Sequence, residues 1–239
     1  MNRLSVRVLL LSLAYLCSLS QVSAERISIY SYYIPGLVDS AQEGTMVDML
    51  AAIEEHSDLK FNLKLMPTAR VQQSFIAERI DSYFPELDEF RPDDSCRTVS
   101  FMKKAIVAVN LASKPPITDI SQLEGMRVGA VIGYSYGKAI ANNPKINLHR
   151  VDDDNINIRK LLTGRIDAII GDAHSTLNAI NELKATDKVN IDVSQPISLL
   201  DVFFVFQPTE QGVKQCLETS KAIEILREKG LLNAWFGYR

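Results

Sequence analysis

Gly133-Tyr134-Ser135-Tyr136-Gly137 sets two tyrosines and a serine between glycines, where the apolar run Val128 to Ile132 gives way to a helical pattern. Glycines there let the backbone turn tightly and come close to a small molecule, Ser135 adds a hydroxyl, and Tyr134 or Tyr136 supplies a flat apolar wall with a polar tip. The first amides of a helix beginning after Gly133 would be unpaired donors that favour an anionic group. A plain turn with surface tyrosines is the alternative. Asp172 ends another apolar run and precedes a helical pattern over 173–183, so its carboxylate could grip an ammonium group, cap that helix, or do both. Phe84-Pro85-Glu86 forms a third such corner, where Glu86 would favour a cationic or amine-bearing solute, or else be a solvated loop acid.

Nucleophilic catalysis finds little support. Asp172, His174 and Ser175 stand close in sequence, but residues two and three apart rarely reach the geometry of a nucleophile and its base, so a capping segment is the better reading. His56, His149 and His174 are scattered without metal-ligand spacing. Asp152-Asp153-Asp154 lacks the glycine and terminal glutamate of a calcium loop and reads as a solvated loop. No metal and no cofactor is expected, and the protein reads as a binder, not an enzyme.

The elements that must position these corners follow from periodicity. Strand-like alternation over 26–30 leads to the loop containing Tyr32, Tyr33, Pro35 and Gly36, then a helix over 45–56, a strand over 61–66, a helix over 71–79 and a strand over 80–85. The same order restarts at residue 127, with strands over 127–132, 147–151 and 166–171 and helices over 136–142 and 156–163. Strands alternating with helices imply parallel βαβ units, and two such series imply two lobes. Two long extended runs, 105–113 and 197–206, supply the double connection that joined lobes require. A helix over 213–227 is capped by Gly230 and followed by the apolar tail Trp235-Phe236-Gly237.

Arg3 and Arg7 precede the apolar run Val8 to Leu19, and Val22-Ser23-Ala24 offers a small-residue cleavage site, so residues 1–24 read as a secretory signal peptide. Removing it leaves 24 basic against 29 acidic residues, a net charge of −5 that argues against a nucleic-acid partner. Cys96 and Cys216 then remain in a chain bound for an oxidising compartment, either as a disulfide or as two buried thiols.

Five stretches together resemble the type II periplasmic solute-binding proteins, in particular the amino-acid-binding "family 3" group of ABC transporters. They are Gly44-Thr45-Met46-Val47-Asp48-Met49-Leu50, Arg79-Ile80-Asp81, Leu123 to Gly133, Gly164-Arg165-Ile166-Asp167-Ala168-Ile169-Ile170-Gly171-Asp172, and Gly230 to Gly237. The resemblance implies an α/β, two-lobed fold with a double-stranded hinge, lobe one holding residues 25–108 plus 201–239 and lobe two residues 109–200. It implies a periplasmic monomer that captures a small polar solute between the lobes and serves a membrane permease or, alternatively, a membrane sensor protein. Asp172 matches the family aspartate that pairs with a ligand's ammonium group, and Tyr32 and Tyr33 occupy the corner where the family carries aromatic residues. The family's carboxylate-clamping arginine is missing: Ser95 stands in its place, with Arg70 and then Arg91 as the candidate substitutes. On this layout Cys96 and Cys216 fall in the same lobe, which favours their pairing.

Overall fold

The computed structural model describes residues 26–87 and 94–237, so the expected signal peptide and Arg91 lie outside the described residues. The first series runs β1 (Ile27–Ser31), α1 (Thr45–Glu55), β2 (Phe61–Leu65), α2 (Thr68–Ile76) and β3 (Ser82–Leu87), followed by the short β4 (Cys96–Arg97). Met46, Met49, Leu50 and Ile53 recur at helical spacing on α1 and are all buried. Burying each is worth roughly 1.5–3 kcal/mol, far more than intrinsic helix propensity, so this face is what holds α1 in place. The expected strand over 80–85 instead continues to Leu87. Pro85 has no N–H to give the ladder, and the antiparallel neighbour absorbs the gap with a register shift between Phe203 and Val205.

The second series is β6 (Arg127–Val131), α3 (Lys138–Ala141), β7 (Asn147–Val151), α4 (Asp154–Leu162), β8 (Ala168–Asp172) and α5 (Ala173–Glu182), with the short β9 (Val189–Asn190) behind it. The helix expected over 136–142 shrinks to four residues. Gly137 has φ 91°, outside the helical region, and a Cβ there would meet Leu200 Cδ2 at 2.8 Å, so the helix can start only at Lys138. Helix α4 begins two residues earlier than its apolar period suggests, because Asp153 Oδ1 accepts the amide of Ile156 at 2.7 Å as an N-cap.

Two strands link the series: β5 (Met102–Leu111) and β10 (Ser198–Phe206). They pair antiparallel from Met102↔Val202 to Ile106↔Ser198. Beyond that ladder β10 continues against β3 and β4, while β5 continues against β8 and β9. The sheet order is therefore β2-β1-β3-β10-β5-β8-β6-β7, and within each series the βαβ neighbours are parallel. The core divides likewise. Two clusters draw on residues 29–101 and 202–232, around Phe84, Phe204 and Ile223 and around Phe75, Tyr83 and Phe203. Two more draw on 106–189, around Tyr136 and Ile170 and around Leu161 and Ile180. The chain closes with α6 (Glu210–Glu228) and α7 (Leu231–Phe236), which pack into the cluster around Phe84 and Phe204. A disulfide joins Cys96 on β4 to Cys216 on α6.

Candidate functional site

Parallel strands put their carboxyl ends, and the loops that follow, at one edge of each lobe. Leu87 at the end of β3 lies beside Val202, which pairs with Met102; Asp172 at the end of β8 lies beside Ile106. Four residues of β5 thus separate the strand ends of the two lobes, about 13 Å at strand rise. The floor of this gap is the β5/β10 ladder.

On the lobe-two side, Asp172 Oδ1 accepts the amides of His174 at 3.0 Å and Ser175 at 3.1 Å, capping α5. Its other oxygen takes no hydrogen bond among the described residues, so the carboxylate keeps capacity for a cation. Asp154, expected in a solvated loop, is instead the first residue of α4 and is 9% exposed. Its Oδ1 accepts the hydroxyl of Thr176 at 3.3 Å. Gly171 makes room for that contact, since a Cβ there would lie 1.8 Å from Thr176 Oγ1. Burial, with a smaller contribution from the neighbouring negative charges of Asp172 and Asp153, raises the Asp154 carboxyl above its ordinary range. A cation placed between Asp154 and Asp172 would relieve that repulsion.

Tyr134 is 40% exposed, and Lys104 Nζ on β5 sits 5.0 Å from its ring centroid. Burial first, then the charges of Asp154 and Asp172, raise its hydroxyl. Ser135 and Tyr136 turn inward. Ser135 is buried, its Oγ accepting the Gly137 amide at 3.4 Å, and the Tyr136 hydroxyl accepts the Val131 amide at 2.7 Å. Tyr136 is therefore a core residue that ends β6, not an open wall. The expected helix amides after Gly133 are likewise not there, because residues 133–137 form a loop.

On the lobe-one side, Glu86 is 4% exposed, not a solvated acid. Its Oε2 accepts the Tyr83 hydroxyl at 2.5 Å and the Gln72 amide at 3.0 Å, while Oε1 accepts the Leu87 amide at 2.7 Å. Burial raises its carboxyl, and those three bonds oppose the rise. The Tyr32 hydroxyl donates to the Pro85 carbonyl at 3.1 Å, and burial pushes that hydroxyl up. Tyr33 is 65% exposed. Phe84 is fully buried and stacked on Phe204 with centroids 4.6 Å apart, so its ring belongs to the core and offers no face to a solute. Arg70 is exposed in the first turn of α2, without a side-chain partner among the described residues.

The arrangement thus brings Asp172 and Tyr134 together, adds Asp154 and Lys104, and keeps Phe84 and Tyr136 for the core. The signals for the two additions are three aspartates just ahead of an apolar period and two lysines near the start of a largely apolar hinge strand. His174 pairs through Nε2 with Asn178 at 3.2 Å, so Asp172, His174 and Ser175 form a cap and its first turn and not a triad.

No protein-family model matches the sequence, and no curated protein does. Solved structures do. A histidine kinase sensor domain with similarity to periplasmic binding proteins superposes with a TM-score of 0.64 at 16% identity, over 88% of this chain and 94% of that one. The arginine-, lysine-, histidine-binding protein ArtJ of Geobacillus stearothermophilus gives 0.61 at 16% identity, over 90% and 96%. The VFT2 domain of Bordetella pertussis BvgS, as a double mutant, gives 0.64 at 13% identity, over 88% and 90%. The chain has the two-lobed type II periplasmic-binding-protein fold, its lobes joined by β5 and β10.

Proposed function

We propose that the protein is an exported solute-binding protein that closes its lobes, residues 25–108 with 201–239 and residues 109–200, around a small polar solute carrying a cationic group. It leaves the solute's bonds intact. The observation that carries this reading is that two carboxylates meet the first turn of α5 at the strand ends of lobe two: Asp172 caps the helix with one oxygen, and the buried Asp154 accepts the Thr176 hydroxyl. An ammonium or guanidinium group there would gain charge-assisted bonds worth roughly 1.5–3 kcal/mol. A thermal-shift screen of the mature chain against amino acids, polyamines and small carboxylates tests it. A solute at 100 times its dissociation constant stabilises the protein by about 2.7 kcal/mol. Amine-bearing compounds should raise the melting temperature, and a response confined to amine-free carboxylates would refute the reading.

The partner is the permease of an ABC transporter, working with a monomeric periplasmic binder. A sensor role is the second reading, supported by the TM-score of 0.64 to a histidine kinase sensor domain, against 0.61 to ArtJ and 0.58 to the substrate-binding protein of an amino acid ABC transporter. Uptake of the labelled solute by a strain lacking this chain separates them. Lost uptake supports transport; intact uptake with a lost transcriptional response supports sensing.

A further inference from the structure

The geometry points to a second grip within lobe two: Arg150, in a recess beside the 133–137 loop, receives a carboxylate, so one lobe holds both the anionic and the cationic end of the solute. This inference rests on the solute-binding reading above. The recess has a volume of about 140 Å³ and is lined by Tyr134, Ser135, Tyr136, Ile140, Leu148 and Arg150. A water occupies roughly 30 Å³ in the liquid, so the recess has the volume of nearly five waters, ample for a carboxylate.

Arg150 is the penultimate residue of β7, in register with Ala130. Its Nη1 donates to the Val131 carbonyl at 3.2 Å, which fixes the guanidinium at the carboxyl end of β6. The rest of the fork makes no hydrogen bond among the described residues, and a planar fork against aliphatic and aromatic walls suits bidentate capture of a carboxylate. Lobe one offers no equivalent at the expected place, where Ser95 is buried.

The position also limits the solute. Continuing the β6/β8 register from Gly129↔Ile169 sets Val131 level with Gly171, one residue before Asp172. The Val131 carbonyl that holds the guanidinium is then one strand spacing, roughly 5 Å, from the strand that ends in Asp172. Each hydrogen bond itself takes up about 3 Å, so two grips on neighbouring strands favour a solute whose amine and carboxylate lie only a few bonds apart. An amino acid meets this with its amine on Asp172 and its carboxylate on Arg150.

Two probe pairs that differ only by the carboxylate test this: lysine against cadaverine, and arginine against agmatine, by titration calorimetry on the mature chain. The wild type should bind the amino acid more tightly than the amine. Arg150→Gln should weaken the amino acid by about tenfold or more, the loss of about 1.4 kcal/mol, and leave the amine within about twofold. Arg150→Lys should restore part of the loss, and Asp172→Asn should weaken both members of each pair. Equal change for both members in Arg150→Gln, or no change for either, overturns the inference. A second arm is independent of the inter-lobe reading: glutarate should shift the Ser135 and Gly137 amide resonances of the wild type and not of Arg150→Gln. Silence in the wild type overturns the recess even if amines bind at Asp172. A glutarate response with no amine or amino acid bound leaves the recess standing and refutes the cleft reading.

Discussion

Glu86 and Asp172 occupy corresponding corners, each at the carboxyl end of a parallel strand facing the gap, yet their surroundings differ. Glu86 is sealed by donors from its own lobe: Tyr83, Gln72 and the Leu87 amide. Asp172 spends one oxygen on its helix cap and has Asp154 nearby, a carboxyl whose burial and like-charged neighbours raise it. The same chemical group is therefore a structural member in one lobe and an open valence in the other. What decides between the roles is how many donors the local fold has already committed, not the residue type or its place in the topology.

The largest difference between the lobes is expected at the disulfide. Lobe one carries the Cys96–Cys216 disulfide, which closes 120 residues of sequence and so includes lobe two within its loop. Reduction should cost about 3–5 kcal/mol in a denaturant titration. Hydrogen exchange should show the loss in α6 and β4 before α4 and α5; equal loss in both lobes would mean that they do not open separately.

Glu86→Ala comes next. It leaves the Tyr83 hydroxyl and the Gln72 amide buried without an acceptor, at about 2–3 kcal/mol, or a melting point lower by roughly 4–12 °C. Glu86→Gln should cost less and should also change the pH dependence. A raised carboxyl binds its proton more tightly in the folded chain, so its contribution is full below the ordinary value of 4.5 and is lost as pH rises through the folded value. That decline should flatten in Glu86→Gln; an unchanged profile would assign it elsewhere.

Asp172→Asn should do the opposite, changing stability by less than about 1 kcal/mol because asparagine also caps, while weakening amine-bearing solutes by roughly 1.5–3 kcal/mol in calorimetry. If stability falls and affinity holds, Asp172 belongs with Glu86. The smallest effect is expected at the outer end of lobe two. Arg127 holds the Asp167 carboxyl down to about 2 through a 2.8 Å ion pair. The stability this pair gives is present above the ordinary 3.8 and lost as pH falls toward 2, but both partners are exposed and Asp167→Asn should cost under about 1 kcal/mol.

The alternating order of strands and helices was legible in the sequence because burial enforces its period, and β5 and β10 stood out as long extended runs without a partner helix. The corners were harder. Phe84-Pro85-Glu86 looks like a strand end because proline usually stops pairing, and only the register shift opposite it lets β3 run on and bury Glu86. Tyr134 and Tyr136 are indistinguishable by type, two residues apart, and one faces the gap while the other ends a strand from inside. Asp154 was hidden by its acidic neighbours, although Asp153 ahead of an apolar period is a cap signal. Whether a polar side chain faces in or out of a loop depends on donors that arrive from distant sequence, which local pattern does not contain.

The path of β5 and β10 also sets an order of events. The buried residues of the two middle clusters all come from one uninterrupted stretch, 106–189, with Ile191, Ile197 and Leu200 packed against them at the edge, whereas the larger outer cluster needs Ile223, Leu226 and Leu232 from near the end of the chain. As the polypeptide emerges from a ribosome or a translocation channel, the middle half can finish first. The outer half stays incomplete, with Cys96 waiting for Cys216, until the last helices arrive.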